Sequence, residues 1–282
     1  MQQTFVEPSK AQRLPSSSHR PISLPLFFVI TFVVSWLGAI PMILDSWRPG
    51  QLPPGVGWLQ LLLFFGTALA TLFVVWWNEG KAGVKALLQR GLIWRVGWRW
   101  YVVVLLGPAL LFWSALRLSA WFGGPTVALQ PPSALLPTFG ISLLAYLLLN
   151  TEEIAWRGYA LPVLLQRYTP WQASLILGVL LGAFHLPLFL LKGGHPAGYP
   201  LPWFLVMILA LTVIFTWLLL RTKGSLLLAH LFHQTFNSWA VTIPFFPRMT
   251  GSLLPLMVTI CLLLMFALLI GWSWFSQNKR SS

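Results

Sequence analysis

Glu152 and Glu153 stand side by side in the segment Asn150-Thr151-Glu152-Glu153-Ile154-Ala155-Trp156-Arg157-Gly158-Tyr159, and they are two of only five acidic residues in the chain. The segment lies inside an apolar run, where a charged side chain costs several kcal/mol and persists when it is paired or used. On a helix Glu153 and Arg157 are four residues apart and share a face, so the guanidinium neutralises that carboxylate. Glu152 is rotated about 100° away. It is left as a free carboxylate projecting into a cavity, unless the cluster simply marks a helix end wetted by the membrane interface. A second polar group, His185, sits in Leu181-Gly182-Ala183-Phe184-His185-Leu186-Pro187 within another apolar run. A lone buried histidine is as a rule a hydrogen-bonded structural residue. The third place is Gly224-Ser225-Leu226-Leu227-Leu228-Ala229-His230-Leu231-Phe232-His233-Gln234-Thr235-Phe236-Asn237. There His230, His233 and Asn237 fall at i, i+3 and i+7, along one helical stripe that needs a polar partner. The three helices therefore each bring an inward-facing polar group to a common cavity.

These groups have to be positioned by a membrane bundle. The chain is 57% hydrophobic and 8% charged with a mean hydropathy of +0.76, whereas soluble domains carry roughly a quarter charged residues. A soluble enzyme is thereby excluded. Apolar runs at about 22–44, 58–77, 101–121, 139–165, 171–191, 201–220, 225–243 and 252–275 predict about eight transmembrane helices, an all-α polytopic fold in one domain over 21–275. The first run lacks a small-residue cleavage site and reads as an uncleaved anchor. Residues 1–20 read as a disordered cytoplasmic tail and 276–282 as a second cytoplasmic tail. Cys261, inside an apolar run, has no partner for an internal disulfide. No internal repeat of the transporter kind is visible.

The cations sit in the gaps between the runs, a pattern of topology rather than of nucleic-acid binding, with anionic lipid headgroups as the counter-charge. Placing both termini in the cytoplasm puts Lys81, Lys85, Arg90, Arg95, Arg99, Arg157, Arg167, Arg221, Lys223, Lys279 and Arg280 on or near that side, with Lys10, Arg13 and Arg20 of the tail. Arg48, Lys192 and Arg248 fall on the other side, and Arg117 lies within the third run. The gap 78–99 is either a helix lying on the membrane surface, built on Lys85, Ala86, Leu87, Leu88, Leu92, Ile93 and Trp94, or a solvated basic loop.

The three motifs together resemble the CPBP family of intramembrane proteases (CAAX protease and bacteriocin-processing), also called the type II CAAX prenyl endopeptidase or ABI family. The double glutamate with Arg157 four residues after Glu153, then His185 with its trailing Leu186-Pro187, then His233 with Asn237 four residues on, follow the family pattern over about 139–240. The chain departs from it at Leu181, where an aromatic residue is usual, and in carrying the extra His230. The resemblance implies an eight-helix membrane endopeptidase with its cavity open toward the cytoplasm and inner leaflet. It implies Glu152 as general base, His185 holding and polarising the water, His233 and Asn237 as oxyanion donors, and Glu153 with Arg157 fixing the orientation of the first motif. No cofactor is required on that route. Zinc held by Glu152, His185 and His233 is the metal alternative, although the sequence has no His-Glu-x-x-His. An aspartyl mechanism is excluded, since the only aspartate is Asp45, and no serine has a nucleophile-elbow glycine pattern. The expected partner is a peptide or protein substrate at a bacterial cell membrane, prenylated or bacteriocin-like. A non-catalytic scaffold of the same fold, and less so a proton-coupled transporter, are the competing readings.

Overall fold

A computed structural model describes residues 22–195 and 197–281. Among these no strand occurs, and the chain folds as helices of which seven are long and apolar enough to cross a membrane. The protein is a multi-pass membrane protein. Its long helices are α1 (Leu24–Trp47), α2 (Leu61–Gln89), α3 (Trp98–Trp121) and α4 (Pro132–Leu149). After the short pieces α5 (Glu152–Ala155) and α6 (Leu161–Leu165) come α7 (Pro170–Phe184), α8 (Leu201–Arg221) and α9 (Leu226–Thr242). A single turn, α10 (Pro247–Thr250), leads into α11 (Leu254–Ser281). The tail expected at 1–20 lies outside the described residues, while 276–281 continue α11.

Two expectations are corrected here. The apolar run 139–165 is not one helix: α4 stops at Leu149, Asn150 takes an extended conformation, and a new helix starts at Glu152. Thr151 tethers the break to α2, its hydroxyl donating to the Phe64 carbonyl at 2.7 Å. The glutamates therefore open a helix rather than sit inside one, which places both carboxylates in its first turn, at the positive end of the helix dipole. The run at 225–243 does become α9, but at 17 residues with three consecutive polar turns it is shorter and less apolar than the seven spanning helices. It survives because its neighbours α3, α4, α5 and α8 surround it.

The stretch 78–99 is partly helical. Gly80 breaks α2 with φ 66° and ψ −163°, a conformation only glycine adopts without strain, and a second helical piece then runs from Lys81 to Gln89. Leu87 is buried while Lys85 and Leu88 are exposed, so this piece packs one face on the bundle.

Close helix contacts depend on small residues, as expected where van der Waals packing replaces the hydrophobic drive. A Cβ on Gly38 of α1 would lie 2.2 Å from the Leu63 nitrogen of α2. Gly178 and Gly182 of α7 admit Leu209 and Leu205 of α8 in the same way. The alternating helices give the bundle two ends. At one end the Asn78 side chain bonds both Ile22 backbone groups and the Tyr159 hydroxyl, and Ser225 bonds the Ile93 carbonyl. At the other, Trp47 donates to the Leu190 carbonyl, Ser46 accepts from the Lys192 amide and Arg248 donates to the Gly193 carbonyl.

Candidate active site

Pro162 shapes the chain after the glutamates. It has no N–H to offer the Gly158 carbonyl four residues earlier, and its ring crowds that carbonyl. Residues Trp156–Ala160 accordingly widen into a π turn, a distortion common at functional sites. The released Gly158 carbonyl accepts from Arg90 Nη1 at 2.7 Å, and Arg90 also donates to the carbonyls of Arg157 at 3.0 Å and Gly224 at 3.2 Å. One side chain from the end of α2 thus ties the π turn to the loop that opens α9.

Glu153 and Arg157 are both essentially inaccessible, and Arg157 Nη1 donates to Glu153 Oε1 at 3.0 Å. Phe215 of α8 supports the guanidinium, whose carbon lies 3.9 Å from the ring centre, a cation–π contact. The same Glu153 oxygen takes a 2.7 Å hydrogen bond from His233 Nδ1. This third partner was not anticipated from the sequence, which gave Glu153 only to Arg157. A carboxylate can only accept, so the His233 proton sits on Nδ1, and the ring donates through Nε2 as well when it is protonated.

Glu152 has a different setting. It is partly exposed, its Oε2 accepts from the Trp156 indole at 3.0 Å, and its backbone nitrogen bonds the Asn150 side chain. It faces a cavity of about 520 Å³ whose walls also include Arg157, His185, His233 and Asn237. His185, at the C-terminal cap of α7, holds the Leu181 carbonyl through Nδ1 at 2.8 Å. A carbonyl only accepts, which leaves a neutral ring with Nε2 as an acceptor. A second cavity of about 230 Å³, lined by Trp36, Leu63 and Phe64 of α1 and α2 and by Ala145 and Leu149 of α4, shares Tyr146, Asn150, Glu152, His185 and Leu188 with the first. It extends the site sideways between α2 and α4.

All six residues singled out by spacing, Glu152, Glu153, Arg157, His185, His233 and Asn237, meet at this place, five of them on the cavity wall and Glu153 behind it. His230 does not. Its Nε2 contacts the Leu147 carbonyl of α4 and its Nδ1 the Gln234 amide, so the stripe on α9 divides between two neighbours. Among the described residues no three of the His, Cys, Asp and Glu side chains are grouped to hold a metal ion, and the Glu152, His185 and His233 alternative finds no such donor cluster.

The structure adds residues that periodicity gave no reason to select. Tyr146 and Asn150 line both cavities from the end of α4. His195, in the loop before α8, lies on the cavity wall with Tyr199 and Arg248. Burial, then His185 and Arg248, push its pKa down to about 4, so it is neutral at ordinary pH. In the sequence it stands in a Gly- and Pro-rich connection with no spacing relation to the other motifs.

The cavity wall extends from Arg157 and Phe215 to His195 and Tyr199 in the connection before α8 and to Arg248 and Met249 of α10.

Residues 131–239 match the family described as type II CAAX prenyl endopeptidase Rce1-like. Over these residues the chain is similar to that family. A curated protein of Methanococcus maripaludis, CAAX prenyl protease 2, is 35% identical over 146 residues, which cover 48% of this chain and 53% of that protein. The chain thus spans about half the length of the relative it matches. The Rce1-like core begins just before α4 and ends within α9, so it contains every motif residue named above and omits α1 to α3, α10 and α11.

Proposed function

We propose that the protein is an intramembrane endopeptidase of the CAAX prenyl protease type that hydrolyses a peptide bond with a water activated by Glu152 and His185. The observation that carries this reading is the division of labour between adjacent glutamates. Glu153 is consumed by Arg157 and His233, whereas Glu152 keeps a carboxylate facing a cavity. A water between Glu152 and His185 Nε2 meets two acceptors, the arrangement needed to hold it by both protons and direct a lone pair at a carbonyl. Glu152 takes the proton as the water oxygen attacks, and returns it to the leaving amine as the tetrahedral intermediate collapses.

The oxyanion of that intermediate needs donors. Asn237 supplies its amide N–H from the next turn of α9, and His233 supplies Nε2–H in its protonated form. Preorganised donors of this kind are worth about 10²–10³-fold in rate each. Arg157 keeps Glu153 ionised in its dry site, so the ion pair acts on the reaction through the orientation and charge of His233. The Rce1-like match and the name of the Methanococcus relative support a protein or peptide substrate at the membrane, with a prenylated or bacteriocin-like chain as the finer assignment.

The test compares protein termini in membranes of cells that express wild type or Glu152→Gln at equal levels. New termini present only with wild type are expected. Equal termini with both proteins folded and inserted, in a host that contains a cleavable reporter tail, overturn the protease reading and favour a scaffold of the same fold.

A further inference from the structure

His195 and Arg248 stand on the wall of the catalytic cavity without a part in the proposed reaction, and their surroundings fix what they can do there. The His195 ring packs against Phe189, Tyr199 and Phe204, with ring centres 5.1, 5.0 and 5.4 Å away. Tyr199 is itself buried and donates to Met207 Sδ at 3.5 Å. The Ala197 amide donates to His195 Nδ1 at 3.2 Å. A ring nitrogen that accepts carries no proton, so the neutral imidazole keeps its hydrogen on Nε2. Among the described residues Nε2 meets no hydrogen-bond partner, and it stays accessible. Burial, with His185 and Arg248 nearby, holds the ring neutral. His195 is therefore a donor with a fixed direction.

Arg248 reaches the same wall from α10. Its side chain crosses the 193–198 loop, where a Cβ on Gly198 would lie 2.7 Å from Arg248 Cγ and one on Gly193 3.2 Å from Nη2. Gly193 and Gly198 have φ of 85° and 76°, so glycine serves there both the turn and the passage of the arginine. Nη2 donates to the Gly193 carbonyl at 2.7 Å, which anchors one corner of the guanidinium and leaves donors on Nε and Nη1. Asp45, Glu79, Glu152 and Glu153 are the acids among the described residues, and the ion pairs found there are those of Glu153 with Arg157 and His233. An anchored guanidinium with no carboxylate of its own, beside an apolar wall of Met207, Ile208 and Leu211, presents a planar fork suited to a carboxylate.

We infer that His195 and Arg248 form a carboxylate subsite of the catalytic cavity, which holds the free C-terminal carboxylate of the chain whose peptide bond meets Glu152. The cut bond rests on the protease reading; the binding of a carboxylate end does not. A cavity of about 520 Å³ encloses a ligand the size of a peptide of a few residues, so a carboxylate on Arg248 and a peptide bond at Glu152 belong to one short terminal segment. Arg248 supplies the charge, His195 Nε2–H the direction, and the apolar wall the contact for the side chains between. Neither residue touches the bond that is cut, so both act on which chain ends bind and not on the chemical step.

Binding to the Glu152→Gln protein in phosphatidylcholine nanodiscs tests the subsite without cleavage. The probe is a fluorescent peptide with an S-farnesyl cysteine followed by a short apolar end, made as the free acid and as the C-terminal amide. The acid is expected to bind about tenfold or more tightly than the amide, the scale of a hydrogen bond to a charged group. Arg248→Gln, and His195→Phe, which keeps a ring among Phe189, Tyr199 and Phe204, are each expected to narrow that ratio and together to abolish it, with affinity for the amide near that of the parent. Arg248→Lys, which keeps the charge, retains part of the preference. A structural role alone would weaken acid and amide alike, and that result overturns the inference. So do equal affinities or no binding in the parent protein, a ratio that survives both substitutions, or binding of phosphatidylglycerol in place of the peptide acid. With wild type the same contrast is expected in KM, at nearly constant kcat. An acid preference with no new termini in the Glu152→Gln comparison would sink the protease reading and leave the carboxylate subsite standing.

Discussion

The two halves of the bundle differ in how they treat polar groups. In the closed half two arginines are held by several partners: Arg90 by three carbonyls, and Arg157 between Glu153 and the Phe215 ring. In the hollow half Glu152, the His185 ring and Asn237 face a cavity, with one Glu152 oxygen held by Trp156 and His185 Nδ1 on the Leu181 carbonyl. Neighbouring glutamates one residue apart fall on either side of this boundary. Chemistry needs polar groups that reach a cavity, and a membrane interior tolerates them where a paired network next door keeps the helices from closing over them.

Substitutions on either side of the boundary should therefore fail differently. Glu152→Gln is expected to lower cleavage by at least about 10²–10⁴-fold, the range for a lost general base, with thermal unfolding in detergent unchanged. An active variant would break the comparison at its centre. Arg157→Ala is expected to destabilise the fold by about 3–5 kcal/mol, because it strands the Glu153 carboxylate in a dry site. Normal detergent stability would show that the buried pair does not hold the closed half together. Arg90→Ala removes charge-assisted bonds to partly buried carbonyls and should cost about 2–3 kcal/mol, read as a lower unfolding temperature at near-normal activity per folded molecule. His230→Ala should have the smallest effect, about 1 kcal/mol or less, with cleavage close to wild type, whereas His233→Ala loses the contact to Glu153. The opposite ranking of the two histidines would put the wrong face of α9 on the cavity.

Much of the site is legible from residue types. A rare carboxylate pair, an arginine four residues on, and histidines in two further apolar runs stand out because buried polarity is expensive whatever the fold. Helical spacing then pairs Glu153 with Arg157. The sequence also predicts the multi-pass helical architecture, because runs of about 20 apolar residues meet one requirement, the thickness of a bilayer. Local signals went wrong at 139–165, where hydropathy is continuous but the backbone is not. Asn150, the Thr151 tether to Phe64 and the missing N–H of Pro162 interrupt the helix without lowering its apolar content.

Other features belong to the tertiary structure alone. The bond from His233 to Glu153 joins residues 80 apart in the chain, and no periodicity links them. The placing of His195 in the cavity, and of His230 against α4, depends on how α8 and α9 rotate within the bundle. The cavity is of the same kind: residue identity and loop charge are properties of the chain in order, whereas a cavity is bounded by helices that meet only when packed. The sequence thus determined which groups are too costly to be idle, and packing decided which of them face the space where a substrate can reach.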